Sequence, residues 1–327
     1  MTHIRVLLPV SMQNAIFSKE SRDGLETLGE VRWNERDEHL TEEEAFDFLH
    51  GADVVVGSWR TVTPTGAILD RCPTIKLWEH AAGSVKGFFT DELKGRELLI
   101  ASCAPAIGQT VAELVLGELI IGMRRVLPNV VSNRTNLRAP LPGRSYLAVS
   151  TIGVIGASQV GRLVMQLLRP FGAMLLVYDP FLSAEEAQTL GATKAESVLE
   201  LCRAADGITI HTPLTPETRH MLGAREFQAM KDDAVFINAS RGACIDEAAL
   251  IAELQKGRLF AFLDVSDPEP AASDNPIRHL PNAVYTSHIA GGPSIHIGRQ
   301  VVQDIEAFTQ GGKPRMTVTW EMLDRLA

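Results

Sequence analysis

From Thr151 to Asp179 the chain passes through an apolar β-type run (Thr151–Ile155), a turn bearing Gly156 and Gly161, a helical stretch, and a second apolar run ending in Val177, Tyr178 and Asp179. A strand feeding a helix through glycines, with an acid at the end of the next strand, is a βαβ unit suited to a dinucleotide. The first glycine makes the tight turn, the second lets backbone approach the pyrophosphate, and the third packs helix on strand. Ser158 stands in the second place. Asp179 lies 18 residues beyond Gly161, near the spacing of an acid that accepts hydrogen bonds from the adenosine ribose and repels a 2′-phosphate. The pattern points to NAD rather than NADP. The plainer reading is an ordinary βαβ unit with a strand-end aspartate.

Around this unit the same rhythm repeats. Ile4–Leu8, Val54–Val56, Ile75–Trp78 and Leu98–Ile100 read as short strands alternating with helical segments such as Glu42–Leu49, where Thr41 and Glu44 form a capping-box pattern. Val111–Val126 reads as a long apolar helix leading onward, and Leu127–Leu147, with Pro128, Pro140, Pro142 and Gly143, as an extended arm or boundary. Ile152–Ile155, Leu175–Tyr178, Gly207–Ile210, Ala234–Ile237 and Phe260–Val265 then give a second βα series, the rhythm of a doubly wound parallel sheet. A helix near Ser294–Phe308 closes the chain. At 327 residues two domains are expected.

A net charge of -9 argues against nucleic-acid or anionic-membrane partners, which reward a basic face. The Val111–Met123 stretch carries Glu113 and Glu118 and reads as a soluble helix rather than a membrane span. The opening residues look like a β-strand, not a signal peptide, so a cytoplasmic location is expected. Cys72, Cys103, Cys202 and Cys244 are scattered without close pairs and read as packing thiols, with no metal site.

Three segments place a titratable or cationic residue just after an expected strand, where open α/β sheets bind their ligands. They hold Arg241 before Gly242, Glu269 between two prolines, and His288. Arginine offers a planar fork to a carboxylate. Histidine passes protons near neutral pH, and a neighbouring glutamate favours the imidazolium. Reduction of a 2-oxo acid needs that set. Singly, each residue also has an ordinary reading as a surface arginine, a solvated loop acid or a satisfied loop histidine. His3, His39, His50, His220, His279 and His296 have no partner at metal-ligand spacing. None of Tyr146, Tyr178 and Tyr285 has a lysine four residues on, which argues against a short-chain dehydrogenase.

In order along the chain come Thr110–Leu114, the glycine turn with Tyr178-Asp179-Pro180, His211–Thr218, Met230-Lys231, Ile237–Gly242, Asp246–Leu250, Leu263-Asp264-Val265, Glu269-Pro270, Asn275-Pro276, Leu280–Val284 and Ser287–Gly291. In these motifs the chain resembles the D-isomer-specific 2-hydroxyacid dehydrogenase family over nearly its whole length. The resemblance implies an α/β fold of two Rossmann-like domains. One is a flavodoxin-like substrate domain from residues 1–106 and 296–327; the other is a doubly wound NAD-binding domain from 107–295. It implies hydride transfer between NAD and a small D-2-hydroxy or 2-oxo acid. Glyoxylate- or hydroxypyruvate-like substrates are favoured and 3-phosphoglycerate is possible.

By the same resemblance Arg241 binds the substrate carboxylate and carbonyl, His288 is the acid/base, and Glu269 holds and charges it. Contacts to NAD are implied for Gly156, Ser158, Gln159, Val160, Gly161 and Asp179, for His211, Thr212, Pro213 and Thr218, and for Ala239, Ser240, Asp264 and Gly291. Backbone at Ala82, Gly83 and Ser84 is implied to meet the substrate carboxylate, although the His80–Lys86 stretch lacks the Gly-Val-Asp run common after this turn. Glutamate at 269 argues against the formate-oxidising branch, which carries glutamine there. Read from the residues alone, Arg60 and Lys86 are solvated surface charges or, as the alternative, meet a second anionic group on the substrate. The Leu127–Leu147 arm implies a homodimer. The alternative is an NAD(H)-sensing binding protein or corepressor of the same fold.

Overall fold

The computed structural model describes residues 1–134 and 145–325, which divide into two compact units, Met1–Ile107 with Gly291–Ala327 and Gly108–Ala290. In the first unit β1 (Thr2–Val6), β2 (Gly29–Trp33), β3 (Val54–Gly57), β4 (Leu77–His80) and β5 (Leu99–Ser102) lie parallel in the order 2-1-3-4-5. That is the flavodoxin-like order. The late strand Thr317–Val318 adds an antiparallel edge beside β5. Successive strand residues point to opposite faces, and both faces are covered. Val55, Trp78 and Ile100 enter one apolar cluster, while Val54, Val56 and Leu77 enter another with Ile297, Val301 and Ile305 of the Ile295–Thr309 helix.

The second unit is a seven-stranded, wholly parallel sheet of β6 (Thr151–Ile155), β7 (Met174–Tyr178), β8 (Thr193–Lys194), β9 (Gly207–Ile210), β10 (Val235–Asn238), β11 (Phe260–Leu263) and β12 (Ala283–Tyr285). Its order is β12-β11-β10-β9-β6-β7-β8. The order reverses between β6 and β9, and the crevice beyond their carboxyl ends is where such sheets take ligands.

Most expected strands form within one or two residues of their expected ends. The sequence did not betray β2, whose polar Glu30 and Arg32 alternate with half-buried neighbours at a sheet edge. The connecting helix begins earlier than expected, spanning Ala104–Met123, and is long and apolar enough to cross a membrane, but half of its most apolar window is buried in the protein. Residues 126–134 form a helix rather than an extended arm. Pro128 is tolerated because first-turn N–H groups have no intrahelical acceptor. Pro140, Pro142 and Gly143 lie outside the described residues.

Candidate active site

The glycine turn sits at the switch point. Gly156 follows β6 with φ of +94°, and a Cβ there would lie 2.9 Å from the His211 carbonyl oxygen at the end of β9. A Cβ on Gly161 would lie 2.0 Å from the Gly156 carbonyl oxygen. Only glycine permits either approach. Ser158 is the N-cap of the Gln159–Leu168 helix, and its hydroxyl accepts the Gly161 N–H at 3.4 Å. The N–H groups of Gln159 and Val160 belong to the first turn, which leaves such donors without an intrahelical acceptor and suits them to an anion. A helix N-terminus, two close-approach glycines and an acid at the next strand end fit a dinucleotide.

Asp179 does more than wait for a ribose. Its Oδ2 accepts the Ala157 N–H at 2.7 Å and its Oδ1 the Phe181 N–H at 2.8 Å, so it staples the glycine turn to its own strand end. His211 turns its ring into the core, where Nε2 and the Thr209 hydroxyl are 2.9 Å apart. Burial holds that imidazole down to about 3, hence neutral, and only the His211 backbone meets the glycine turn. Thr212 and Pro213 begin a loop closed by Thr218, whose hydroxyl donates to the Pro213 carbonyl at 2.6 Å.

At the end of β10, Asn238 sets the turn through Ala239 and Ser240 to Arg241. Its Oδ1 accepts the Ser240 N–H at 3.1 Å and its Nδ2 donates to the Arg241 carbonyl at 3.0 Å. The Ser240 hydroxyl donates to the Thr212 carbonyl, joining this turn to the neighbouring loop. The half-buried Arg241 guanidinium donates to the Ser240 carbonyl at 2.8 Å. A Cβ on Gly242 would lie 2.0 Å from the Ser266 carbonyl oxygen, so the arginine turn abuts the loop that carries Glu269.

Glu269 Oε1 and His288 Nδ1 are 2.7 Å apart. A proton on Nδ1 donated to the carboxylate leaves Nε2 as the working nitrogen. His288 takes a left-handed φ of 56°, which Asp264 supports. The Asp264 carbonyl accepts the His288 N–H at 2.8 Å. Its buried carboxylate accepts the Thr286 hydroxyl at 2.7 Å and the N–H groups of Ile289 and Ala290 at 2.8 and 2.9 Å. Arg241, Glu269 and His288 thus stand on linked loops of one unit.

Sequence reasoning assigned no role to Asn238, nor to Glu118, which is buried on the Ala104–Met123 helix. Burial, and then the Asp264 charge, push the Glu118 carboxyl up to about 8. A glutamate within an apolar helical run was the available signal. In the first unit, the Ala82 and Gly83 carbonyls both accept the Ser102 hydroxyl, and the Cys103 N–H also reaches Ala82. The Ala82 N–H, one of three donors expected for substrate, is taken by the His80 carbonyl at 2.6 Å. The Lys86 N–H meets the Ser84 hydroxyl at 3.5 Å. Gly291 follows Ala290 directly at the opening of the chain's return to the first unit. Among the described residues, no group of three or more His, Cys, Asp or Glu side chains is arranged to hold a metal.

Residues 118–290 match the sequence model of the D-isomer specific 2-hydroxyacid dehydrogenase NAD binding domain. D-3-phosphoglycerate dehydrogenase of Methanocaldococcus jannaschii is 31% identical over 271 residues, which is 81% of this chain and 51% of that protein. The chain therefore accounts for about half the length of that relative. Glyoxylate/hydroxypyruvate reductase B of Citrobacter koseri is 30% identical over 243 residues, 73% of this chain and 74% of the relative. Among solved structures, the TT0316 protein of Thermus thermophilus superposes with a TM-score of 0.72 at 26% identity, covering 97% of this chain and all of that one. D-lactate dehydrogenase of Lactobacillus jensenii gives 0.80 at 23% identity over 97% of this chain and 100% of that one, a likeness of fold.

Proposed function

The chain belongs to the D-isomer-specific 2-hydroxyacid dehydrogenase family, and from that premise we propose that it interconverts a small D-2-hydroxy acid and its 2-oxo acid with NAD. The observation that carries the reading is the 2.7 Å contact of Glu269 with His288 on loops linked to the Arg241 turn. When bound at the glycine turn, NAD(H) supplies or accepts the hydride. In reduction His288 donates its Nε2 proton to the carbonyl oxygen; in oxidation neutral His288 takes the hydroxyl proton. Glu269 orients the ring through Nδ1. Arg241 receives the substrate carboxylate and offsets charge building on the carbonyl oxygen.

In this reading Gly108–Ala290 is the NAD-binding domain and the other unit the substrate domain. Small substrates of the glyoxylate and hydroxypyruvate class are favoured, with 3-phosphoglycerate the larger candidate, in line with the names of two relatives. Four buried free thiols suit a reducing cytoplasm. Val126, Leu127, Val130 and Val131, all exposed on one helix, support a homodimer, for which light scattering should return twice the chain mass.

The test is turnover. Purified protein with NADH is offered glyoxylate, hydroxypyruvate, pyruvate, branched and aromatic 2-oxo acids and 3-phosphohydroxypyruvate. Oxidation of NADH by at least one of them, abolished in His288→Ala with NADH binding intact, is the expected result. NADH binding without turnover of any would instead favour a sensing role.

A further inference from the structure

We propose that Tyr285 is a positioning residue for the Glu269–His288 pair, its phenolic hydroxyl pinning the loop that carries the glutamate while its backbone leads to the histidine. The proposal rests on the dyad read above. Glu269 lies between Pro268 and Pro270, neither of which has an N–H to offer. Side chains must hold such a segment. Glu247 does so on one side, accepting the Asp267 N–H at 3.3 Å and Asn275 Nδ2 at 2.7 Å.

Tyr285 does so from beneath. Its oxygen accepts the Ala271 N–H at 3.1 Å and lies 3.1 Å from Ser266 Oγ. The Ser266 hydroxyl donates to the Pro268 carbonyl at 2.9 Å. Proton accounting then fixes the direction. Ser266 has one hydrogen and it goes to Pro268, so the tyrosine hydrogen goes to Ser266. One phenol thereby reaches residues 266, 268 and 271, on both flanks of Glu269. The Arg278 guanidinium lies 4.9 Å over the Tyr285 ring and donates to the Ala271 carbonyl at 2.7 Å, fixing the ring and the far flank together. Three residues on, the chain arrives at His288. Tyr285 of β12, paired in register with Leu263 of β11, thus links the loop of one catalytic side chain to the strand that leads to the other.

Tyr285→Phe removes the hydroxyl and keeps the ring. In full-length protein isotope-labelled at histidine, NMR at one fixed pH follows the His288 Nδ1 resonance, with His288→Ala assigning it. Glu269→Gln is expected to move that resonance, because the carboxylate facing Nδ1 at 2.7 Å is lost. Tyr285→Phe should move it the same way by a smaller amount, with NADH affinity and thermal midpoint kept. Ser266→Ala should give the same shift, and the double variant no more than either alone. With a turned-over 2-oxo acid, kcat in Tyr285→Phe should fall about three- to tenfold at nearly constant KM.

A wild-type His288 Nδ1 resonance in Tyr285→Phe, beside a shifted one in Glu269→Gln, overturns the positioning role. A shift that arrives only with lost NADH affinity and a lowered thermal midpoint marks a merely structural role and overturns it too. If Glu269→Gln itself leaves His288 unmoved, the dyad fails rather than Tyr285 alone.

Discussion

Replacing Glu118 by Gln should stabilise the Gly108–Ala290 unit by an amount that grows with pH. Glu118 is 6% exposed, and its Oε2 has no hydrogen-bond partner. Burial and the Asp264 charge raise its carboxyl from 4.5 to about 8. Below the lower value the carboxyl is protonated in both states and costs nothing. Between the two values the unfolded chain releases the proton and the folded chain keeps it, so each pH unit removes about 1.4 kcal/mol of stability. Above the upper value both states are ionised and the penalty is constant. From about pH 5.5 to about pH 8 the penalty grows by about 3 kcal/mol. Glutamine cannot ionise, so the advantage of the variant should widen by that amount.

The assay must see the right unit. Trp33, Trp59, Trp78 and Trp320 all lie in the other one, so tryptophan fluorescence would report the wrong transition. Amide hydrogen exchange in peptides covering β9, β10 and β11 reads opening of the relevant sheet directly. An advantage of Glu118→Gln that is the same at both pH values would refute the argument.

Arg241→Lys should lower kcat/KM by about 100-fold or more, since one ammonium cannot replace a planar fork at both carboxylate and carbonyl; steady-state kinetics with unchanged NADH affinity checks it. Ser158→Gly should tighten NADH binding a few-fold by freeing the Gly161 N–H now capped by the serine, at a cost of a few tenths of a kcal/mol in stability; a fluorescence titration of NADH reads the first and a melt the second. His211→Gln should flatten the acid limb of stability. With the folded imidazole held down to about 3, against 6.5 in its ordinary state, the unfolded chain alone binds that proton as pH falls below the ordinary value. Stability drops by about 1.4 kcal/mol per pH unit there, and this slope should vanish in denaturation series of the variant.

The sequence alone determined the alternation of strands and helices, the glycine turn with its acid, and the three residues read as chemical. Each is encoded within a few neighbouring positions: a period of two, a pair of small residues, a charge at a strand end. Even the Thr41–Glu44 capping box forms as its spacing implies. Its own span could not reveal that Asp179 already holds the Ala157 N–H, that the His211 ring faces Thr209, or that the Ala82 N–H is taken. Those facts depend on which groups the folded chain brings within hydrogen-bond reach.

The same holds for the supports of the site. Glu118 meets the field of Asp264, far along the chain, only because a helix preceding the sheet packs on it. Tyr285 reaches Ser266 only because β12 pairs with β11 in one register; a slip of one residue would turn its side chain to the other face. Local pattern told which groups could do chemistry. Long-range pairing decided which of them are held where they can.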